Sequence, residues 1–409
     1  MKVSSLILAA ASLVAAAPSA TMKRAGEEKK VMHRPANFEN WRTFKANGVN
    51  LGGWLVQEKG MEPSFFNDNG ASAANDENAF CKILGAERCG ELLETRYKNF
   101  FKKCDTDRFA AYGVNLLRVP VGYWAFMDAA DGYYYHHGEQ TKYLSKLAQY
   151  AQEQYGMHVI LDLHGLPGGH NGLDNQGSTG DIAWWYNTTY FDQTLDLVKL
   201  STEYILAQPH PEQWILSLIN EPLSKGPIFF GQTNESVAYL NKFYRASLDI
   251  VREMDPEMVV PVMLSDGFAG PLMWEEWWGT NTENIVFDTH IYYFVGGSYG
   301  FAAQYDSCYS AKVWESHKQP VFIGEWSIQA TMGNSADVDQ RSLFYYSQWD
   351  AYNTYMSGGA FRNGKHMGTN VIGDDGTDQS YYWSFQKLAS QGVIKKLGET
   401  YTAYTCESS

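Results

Sequence analysis

Two glutamates follow apolar runs in distant parts of this chain. Glu221 comes after the run WILSLIN, and Glu325 comes after the run PVFIG. Two carboxylic acids in different environments can share a reaction, because a protonated one can give its proton to a leaving oxygen while its ionised partner attacks the neighbouring carbon. The chemistry that this pair predicts is cleavage of a glycosidic bond.

The apolar runs of the chain have further polar or aromatic side chains at or near their ends. These side chains are Arg118, Asp162, His164, Asn220, His290, Tyr292 and Trp383. We expect Arg118 to keep Glu325 ionised through charge-assisted hydrogen bonds, and Asn220 to hydrogen-bond a sugar 2-hydroxyl. Tyr292 could donate a hydrogen bond to the nucleophile, and Trp383 could lie under the sugar ring.

Two histidines raise the question of a metal site. His164 and His290 are interpreted as neutral hydrogen-bonding partners. Together with Asp162 they could bind a metal, but the sequence around them has no HExxH pattern and no supporting thiol. No metal is therefore expected.

Eight apolar runs rich in β-branched residues would have to position these side chains. They are 48–54, 113–121, 157–165, 214–221, 258–266, 284–292, 320–327 and a last region that comprises 358–361 and 381–385. Helical spacing separates most of them, as in 141–155, 191–206, 236–254 and 342–356. Runs that alternate with helices are typical of a parallel sheet. Eight such units in 409 residues predict an α/β fold, a single (β/α)8 TIM barrel whose strand ends form one mouth.

The composition restricts the partners. The formal net charge is −14, and 15% of the residues are aromatic. An acidic protein is repelled by phosphate backbones and anionic lipids, so neither nucleic acid nor a membrane is expected as a partner. Aromatic faces suit the C–H faces of sugar rings, although many of these residues must also build the core.

The N-terminal segment predicts the compartment. In residues 1–20, Lys2 precedes an apolar run of small residues, which is the order of a secretory signal peptide. Lys23 and Arg24 form a dibasic pair that is either a trimming site or two ordinary surface charges. We expect residues 25–409 to be one catalytic domain, monomeric and secreted, either extracellular or associated with a cell wall.

The five cysteines have no CxxC spacing, which disfavours a zinc site. In an oxidising compartment disulfides are expected instead. We predict one between Cys308 and Cys406 and another within the set Cys81, Cys89 and Cys104.

Two sequons predict glycosylation of the secreted chain. They begin at Asn187 and Asn234.

An ordered set of motifs resembles one known family. GVNLGGWLVQEKGMEPSFF, LLRVPVGYWAF, VILDLHGLPGGHNGLDNQG, INEPL, DTHIYYF and FIGEWS follow one another from about residue 48, and the likeness extends to residue 397. They are similar to glycoside hydrolase family 5, in particular to its fungal exo-β-1,3-glucanase branch. The resemblance implies a retaining mechanism on a (β/α)8 barrel without metal or organic cofactor, and a β-glucan or β-glucoside as substrate.

The resemblance also implies roles for single residues. Glu221 matches the general acid/base and Glu325 the nucleophile. The positions that match supporting residues are Arg118, His164, Asn220, His290, Tyr292 and Trp383. Glu58, Asp174 and Asn175 match positions that line the terminal-sugar pocket of the branch.

The chain departs from the branch at the rim of this pocket. Lys59 and Gly60 stand where the branch has Pro-Trp. Leu173 and Val295 stand where it has two phenylalanines that clamp the second sugar, with Phe294 one position before the latter. The segment 362–380 resembles an insertion that could rebuild the rim or cover it.

These departures leave alternatives to an exo-acting glucan 1,3-beta-glucosidase that releases glucose from the non-reducing end. One is a related β-glycosidase, such as a β-1,6-glucanase, an aryl or steryl β-glucosidase, or a rutinosidase that releases a disaccharide. A more remote alternative is a carbohydrate-binding barrel without activity, which would be expected to lack one of the two acids.

Overall fold

The structure is a computed structural model that describes residues 29–30, 41–224, 232–275, 277–278, 284–295, 300 and 304–406. The predicted secretory signal, residues 1–20, and the dibasic pair that follows it lie outside the described residues. Within the described residues, no helix has both the length and the apolar character that a bilayer crossing requires.

Eight parallel strands close into a barrel, as the sequence predicts. Strands β2 to β9 pair in chain order, and β9 closes the ring by pairing with β2. A short antiparallel ladder between β1 and β10 lies outside the barrel. The strands are β1 (Lys29–Lys30), β2 (Ala46–Asn50), β3 (Leu116–Gly122), β4 (His158–Gly165), β5 (Trp214–Ser217), β6 (Val262–Ser265), β7 (Ile285–Tyr293), β8 (Val321–Ala330), β9 (Gly358–Phe361) and β10 (Thr400–Tyr401).

Helices follow most barrel strands, and the four predicted helical stretches match α5, α6, α7 and α10 within a few residues at each end. Asn187 caps α6 by accepting a hydrogen bond from the Tyr190 amide, and Thr233 caps α7 in the same way. The helices are α1 (Pro63–Asp68), α2 (Glu77–Leu84), α3 (Ala86–Asn99), α4 (Lys103–Ala110), α5 (Gln140–Tyr155), α6 (Thr188–Leu206), α7 (Asn234–Met254), α8 (Pro271–Glu275), α9 (Gln304–Lys312), α10 (Val338–Tyr355), α11 (Ser380–Trp383) and α12 (Phe385–Ser390).

An apolar layer fills the lower part of the barrel. Each barrel strand contributes one residue to this layer, and Trp41 and Phe44 belong to the same cluster. The eight strand residues are Ala46, Leu116, Ile160, Ile215, Met263, Val286, Phe322 and Ala360. Because strand side chains alternate, the residues two positions further along these strands also face the interior, nearer the mouth. On three strands that next residue is charged: Arg118, Asp162 and Asp288. The change from apolar to charged therefore marks where the barrel becomes a site.

The predicted last strand is only half correct. Residues 358–361 form β9, but 381–385 do not continue the sheet, because α11 and the start of α12 occupy them. Since β9 already pairs with both β8 and β2, the closed barrel has no free edge for another strand. Trp383 therefore lies on α11 and not at a strand end.

Two disulfides are present, and both agree with the sequence prediction. Cys308 pairs with Cys406, which ties α9 to the end of the described chain. Cys81 pairs with Cys89 between α2 and α3. Cys104 is exposed and unbridged.

Candidate active site

The two predicted glutamates meet at the barrel mouth. Glu325 lies within β8, whereas Glu221 comes four residues after the end of β5. Both are buried, with 7% of Glu221 and 2% of Glu325 exposed. One carboxylate oxygen of each and a ring nitrogen of His290 all lie within 4.8 Å of one another. This spacing suits the roughly 5–5.5 Å of a retaining pair better than the roughly 6.5–9.5 Å of an inverting pair.

The backbone of Glu221 has an unusual conformation. Its φ is +46°, in the left-handed region that side-chain-bearing residues rarely adopt. The preceding residue is held in place by His170, whose Nε2 donates to the Asn220 carbonyl at 2.5 Å. Burial lowers the pKa of His170 to about 4, so this ring stays neutral. The loop after β5 is thus fixed in the shape that presents Glu221.

The two oxygens of the Glu325 carboxylate have different partners. Its Oε1 accepts hydrogen bonds from Arg118 and from Arg362, each at 2.7 Å. Its Oε2 accepts one from the Tyr292 hydroxyl at 2.8 Å. Burial alone would raise the pKa of Glu325, but the charges of Arg362, His290 and Arg118 outweigh burial and hold the pKa far below its usual range. Glu325 is therefore ionised.

Arg118, on β3, contacts residues of four other barrel strands beneath the site. Its Nη1 also donates to Asn50 at 3.0 Å, and its Nη2 donates to Asn220 Oδ1 at 2.8 Å. The same Nη2 lies 3.1 Å from Asp162 and 3.6 Å from Asp288. Burial opposes the charged form, but Asp162 and the other carboxylates outweigh it and raise the pKa of Arg118 above its usual range. The guanidinium stays charged and rigid.

Glu221 is held by an amide and an imidazole. Asn175 Nδ2 donates to its Oε2 at 2.9 Å, and His290 Nδ1 lies 2.8 Å from its Oε1. Burial raises the pKa of Glu221, and the hydrogen bond and charge of His290 reverse that effect and lower it.

His290 differs from the prediction that it is neutral. Burial would lower its pKa, but the carboxylates of Glu325 and Asp288 outweigh burial and raise it to about 10. Asp288 Oδ2 lies 3.5 Å from His290 Nε2. Glu221 and His290 therefore hold one proton between them above neutral pH, on the short contact between Oε1 and Nδ1.

The remaining predicted histidine lies below Asn220. His164 Nδ1 contacts Asp162 Oδ2 at 2.6 Å, and its Nε2 lies 3.4 Å from Asn220 Nδ2. Because Asn220 Oδ1 already accepts from Arg118, its amide nitrogen is the group left to face a ligand or the His164 ring. Arg118, His164 and Asn220 thus form one network.

Aromatic side chains form one wall of the mouth. The rings of Tyr292 and Trp383 stack with centroids 5.2 Å apart, and Phe294 packs edge-on against both. Trp383 Nε1 donates to Gln329 Oε1 at 2.6 Å, which fixes the indole. Phe294, next to the position where the clamp residue is absent, therefore belongs to this wall.

Two further acidic residues, Glu58 and Asp174, lie beyond Arg362 as seen from Glu325. Arg362 donates to Glu58 Oε2 through Nη2 while its Nη1 contacts Glu325. Glu58 and Asp174 are close enough that burial and the charge of Glu58 together raise the pKa of Asp174 to about 7. The three predicted pocket residues are thus divided: Glu58 and Asp174 form this group, and Asn175 contacts Glu221.

Two residues of the site, Arg362 and Asp288, were not predicted from the sequence. Arg362 directly follows β9, so the rule that strand ends carry the site would have found it had β9 been taken as the end of the last strand. Asp288 has the same period as Val286 and His290 on β7, which was a usable signal too.

Within the described residues, Glu221, His290 and Glu325 are the one cluster with metal-ligand geometry. Hydrogen-bond donors already surround this cluster: two guanidinium groups and a phenol contact Glu325, and an amide contacts Glu221. A cation there would be repelled by Arg118 and Arg362. The donor set fits a charge-compensated pair of acids.

The two predicted glycosylation sites both lie at helix starts. Asn234 is exposed at the start of α7, and Asn187 is half-buried before α6. Their modification stays a prediction.

The fold and the paired acids define a glycoside hydrolase, and comparison with known proteins gives its family. Residues 86–358 match the cellulase family, glycosyl hydrolase family 5. The chain belongs to this family, whose members act with retention of configuration.

Two proteins of similar sequence and one solved structure are similar to this chain over most of its length. The chain is 36% identical over 306 residues to probable glucan 1,3-beta-glucosidase A of Aspergillus fumigatus, covering 73% of this chain and 68% of that protein. It is 33% identical over 340 residues to the protein of the same name in Aspergillus clavatus, covering 80% and 76%. The crystal structure of rutinosidase from Aspergillus niger superposes with a TM-score of 0.82 and 33% identity, covering 88% of this chain and 100% of that one.

Proposed function

We propose that this protein is a secreted β-glycosidase, most simply an exo-acting glucan 1,3-beta-glucosidase, with Glu325 as nucleophile and Glu221 as general acid/base. One observation carries the proposal: a carboxylate oxygen of each of these two residues lies within 4.8 Å of the other, and their partners differ, since two arginines hold Glu325 whereas Asn175 and His290 hold Glu221. The names of the Aspergillus relatives support the glucan as substrate.

In the first step, Glu325 attacks the anomeric carbon. Its Oε1 is occupied by two arginines, so Oε2, which faces His290 at 3.8 Å, is the oxygen that forms the new bond. Tyr292 donates to this oxygen and keeps it oriented until the sugar arrives. The C–O bond to the leaving group breaks as the glycosyl-enzyme bond forms.

The leaving oxygen needs a proton, and the Glu221–His290 pair holds one. A proton on His290 Nδ1 and a proton on Glu221 Oε1 are two forms of the same 2.8 Å contact. Approach of the substrate oxygen favours the form with the proton on Glu221, which then delivers it. In the second step Glu221 takes a proton from water, and the water oxygen displaces Glu325 with overall retention.

Other residues bind the sugar. Asn220 Nδ2 is placed to donate to the 2-hydroxyl, an interaction that strengthens at the transition state. The wall of Tyr292 and Trp383 supports an apolar sugar face. Glu58 and Asp174 accept hydrogen bonds from hydroxyls at the end of the terminal sugar.

A second candidate is a disaccharide-releasing activity of the rutinosidase type. The 0.82 TM-score to the rutinosidase of Aspergillus niger, over the whole of that chain, favours it. The absence of the two clamp phenylalanines, where Leu173 and Val295 stand, also favours a pocket that admits a sugar other than the next unit of a β-1,3-glucan.

The nucleophile assignment is tested by Glu325→Gln. The variant keeps the side-chain shape but cannot form the ester-like intermediate, so turnover of an activated aryl β-glucoside should fall by about 10⁴-fold or more. Circular dichroism and thermal unfolding serve as controls for folding. Substantial residual activity in a pure, folded sample would refute the assignment.

The substrate is tested by product analysis. Laminarin, pustulan, gentiobiose and rutin are incubated in parallel with the wild-type protein and with Glu325→Gln. Glucose released from laminarin as the sole first product supports the exo-glucanase, whereas rutinose from rutin supports the second candidate. No product from any β-glycoside would contradict both.

Three further expectations belong to this proposal. The segment 1–20 directs secretion, residues 25–409 act as one catalytic domain, and the protein works as a monomer. N-terminal sequencing of secreted protein and light scattering check them.

A further inference from the structure

Arg362 contacts two carboxylates that the proposed reaction uses differently. Its Nη1 donates to Glu325 Oε1 at 2.7 Å, and its Nη2 donates to Glu58 Oε2. The side chain is 6% exposed, so both contacts are shielded from water. A planar guanidinium presents two donor pairs in a fixed fork, which lets one side chain set the separation and angle of two acids.

Arg362 does not duplicate Arg118. Arg118 shares its charge among Glu325, Asp162 and Asp288, all deep within the barrel. Arg362 instead lies between the nucleophile and the pocket acid Glu58. Arg362 is one of three positive charges, with His290 and Arg118, that favour ionised Glu325.

We propose that Arg362 is a positioning residue whose guanidinium joins the nucleophile to the terminal-sugar pocket, so that one side chain sets both the orientation of Glu325 and the acceptor geometry of Glu58. This inference rests on the proposed function. Loss of the arginine releases the nucleophile and the pocket together. Both substrate binding and nucleophile ionisation then depend on residue 362.

Other charged or titratable groups also face these acids and would remain after the change. Around Glu325 and Arg362 they are Glu58, Arg118, Asp162, His164, Asp174, Glu221, His290, Tyr292 and His366. Arg118 and His290 still favour ionised Glu325. In the variant the pKa of Glu325 therefore rises, but the carboxyl group still ionises at higher pH.

The test is the pH profile of kcat/KM for an aryl β-glucoside in Arg362→Met. Removing a positive charge raises the pH at which Glu325 ionises, so the acidic limb should move up by about 1–3 pH units. KM should rise several-fold because Glu58 loses its partner. Glu58→Gln should raise KM too, but should not move the acidic limb upward, because Arg362 remains on Glu325.

The double variant Glu58→Gln/Arg362→Met removes the risk that an unpaired buried carboxylate unfolds the protein. It should show the same upward shift of the acidic limb as the single arginine variant. Arg362→Lys keeps a charge without the fork, so its limb should stay near that of the wild type while KM rises. The matched control is Arg341→Met, which removes a buried arginine that binds Tyr381, Ala336 and Gln391 outside the site.

The inference would be overturned if the acidic limb stayed in place in Arg362→Met and in Glu58→Gln/Arg362→Met. It would also be overturned if Arg341→Met moved the limb as far as Arg362→Met does. Glu325→Gln, assayed beside them, separates the two proposals. If the wild type is active and Glu325→Gln is not, the proposed function stands whatever Arg362 does. If the wild type cleaves no β-glycoside, both fail.

Discussion

At the scale of single residues, the proposed mechanism makes His290 decide where the proton that it shares with Glu221 resides. Imidazole is more basic than a carboxylate, and Glu325 and Asp288 raise the pKa of His290 to about 10. His290→Asn leaves Glu221 to hold the proton alone. We predict that the basic limb of the kcat/KM profile moves to lower pH, by at least about one unit. A limb that stays in place would show that the pair does not share its proton.

The sequence located single residues well where strand order alone decides their position. Glu221, Glu325, Arg118 and Asn220 all meet at the mouth, because parallel strands end at one face of a barrel. The charge of His290 was not predicted, since it depends on Glu325 of the neighbouring strand β8 and on Asp288 two residues away on β7, and the role of Asp288 was missed.

At the scale of elements, the start of α2 supports the pocket wall. Glu77 is fully buried there, and its Oε2 accepts from the Gln57 amide at 2.7 Å, next to Glu58. The neighbouring Asp76 caps the helix and bridges to Glu58 through the backbone. Movement of α2 would therefore displace Glu58, which belongs to the proposed terminal-sugar pocket.

Glu77 makes the stability of this element depend on pH. Burial raises its pKa from 4.5 to about 8, so the folded state holds the proton more tightly than the unfolded chain. The contribution of protonated Glu77 to the free energy of unfolding is complete below pH 4.5 and is lost as the pH rises towards 8. Glu77→Gln should gain stability relative to wild type over that interval, on the order of a few kcal/mol. Urea unfolding of both proteins at several pH values checks this, and a constant difference would contradict it.

Element boundaries show where sequence reasoning stopped. The helices α5, α6, α7 and α10 have clear periodicity, and their extents were predicted within a few residues. The run YYWSF has strand-like composition, yet Gln379 and Ser384 flank a one-turn helix there. Composition could not reveal that β9 had already closed the barrel, and this error hid Arg362.

At the scale of the whole molecule, the two disulfides close loops of very different length. Cys308 and Cys406 are 98 residues apart, and Cys81 and Cys89 are 8 apart. Loop-closure entropy predicts losses of about 4.7 and about 2.5 kcal/mol when each bridge is removed by paired Ala substitutions. Guanidinium unfolding measures both, with Cys104→Ser as a neutral control. Equal losses would mean that native contacts, and not loop entropy, dominate.

The left-handed backbone conformation of Glu221 lowers the stability of the fold, although the proposed activity requires a carboxylate at this position. A non-glycine residue held there costs about 1–3 kcal/mol, which a glycine would not. Glu221→Gly should thus be an inactive protein that melts later than equally inactive Glu221→Ala. The protein thus gives up part of its folding free energy to hold a carboxylate at this point of the barrel mouth.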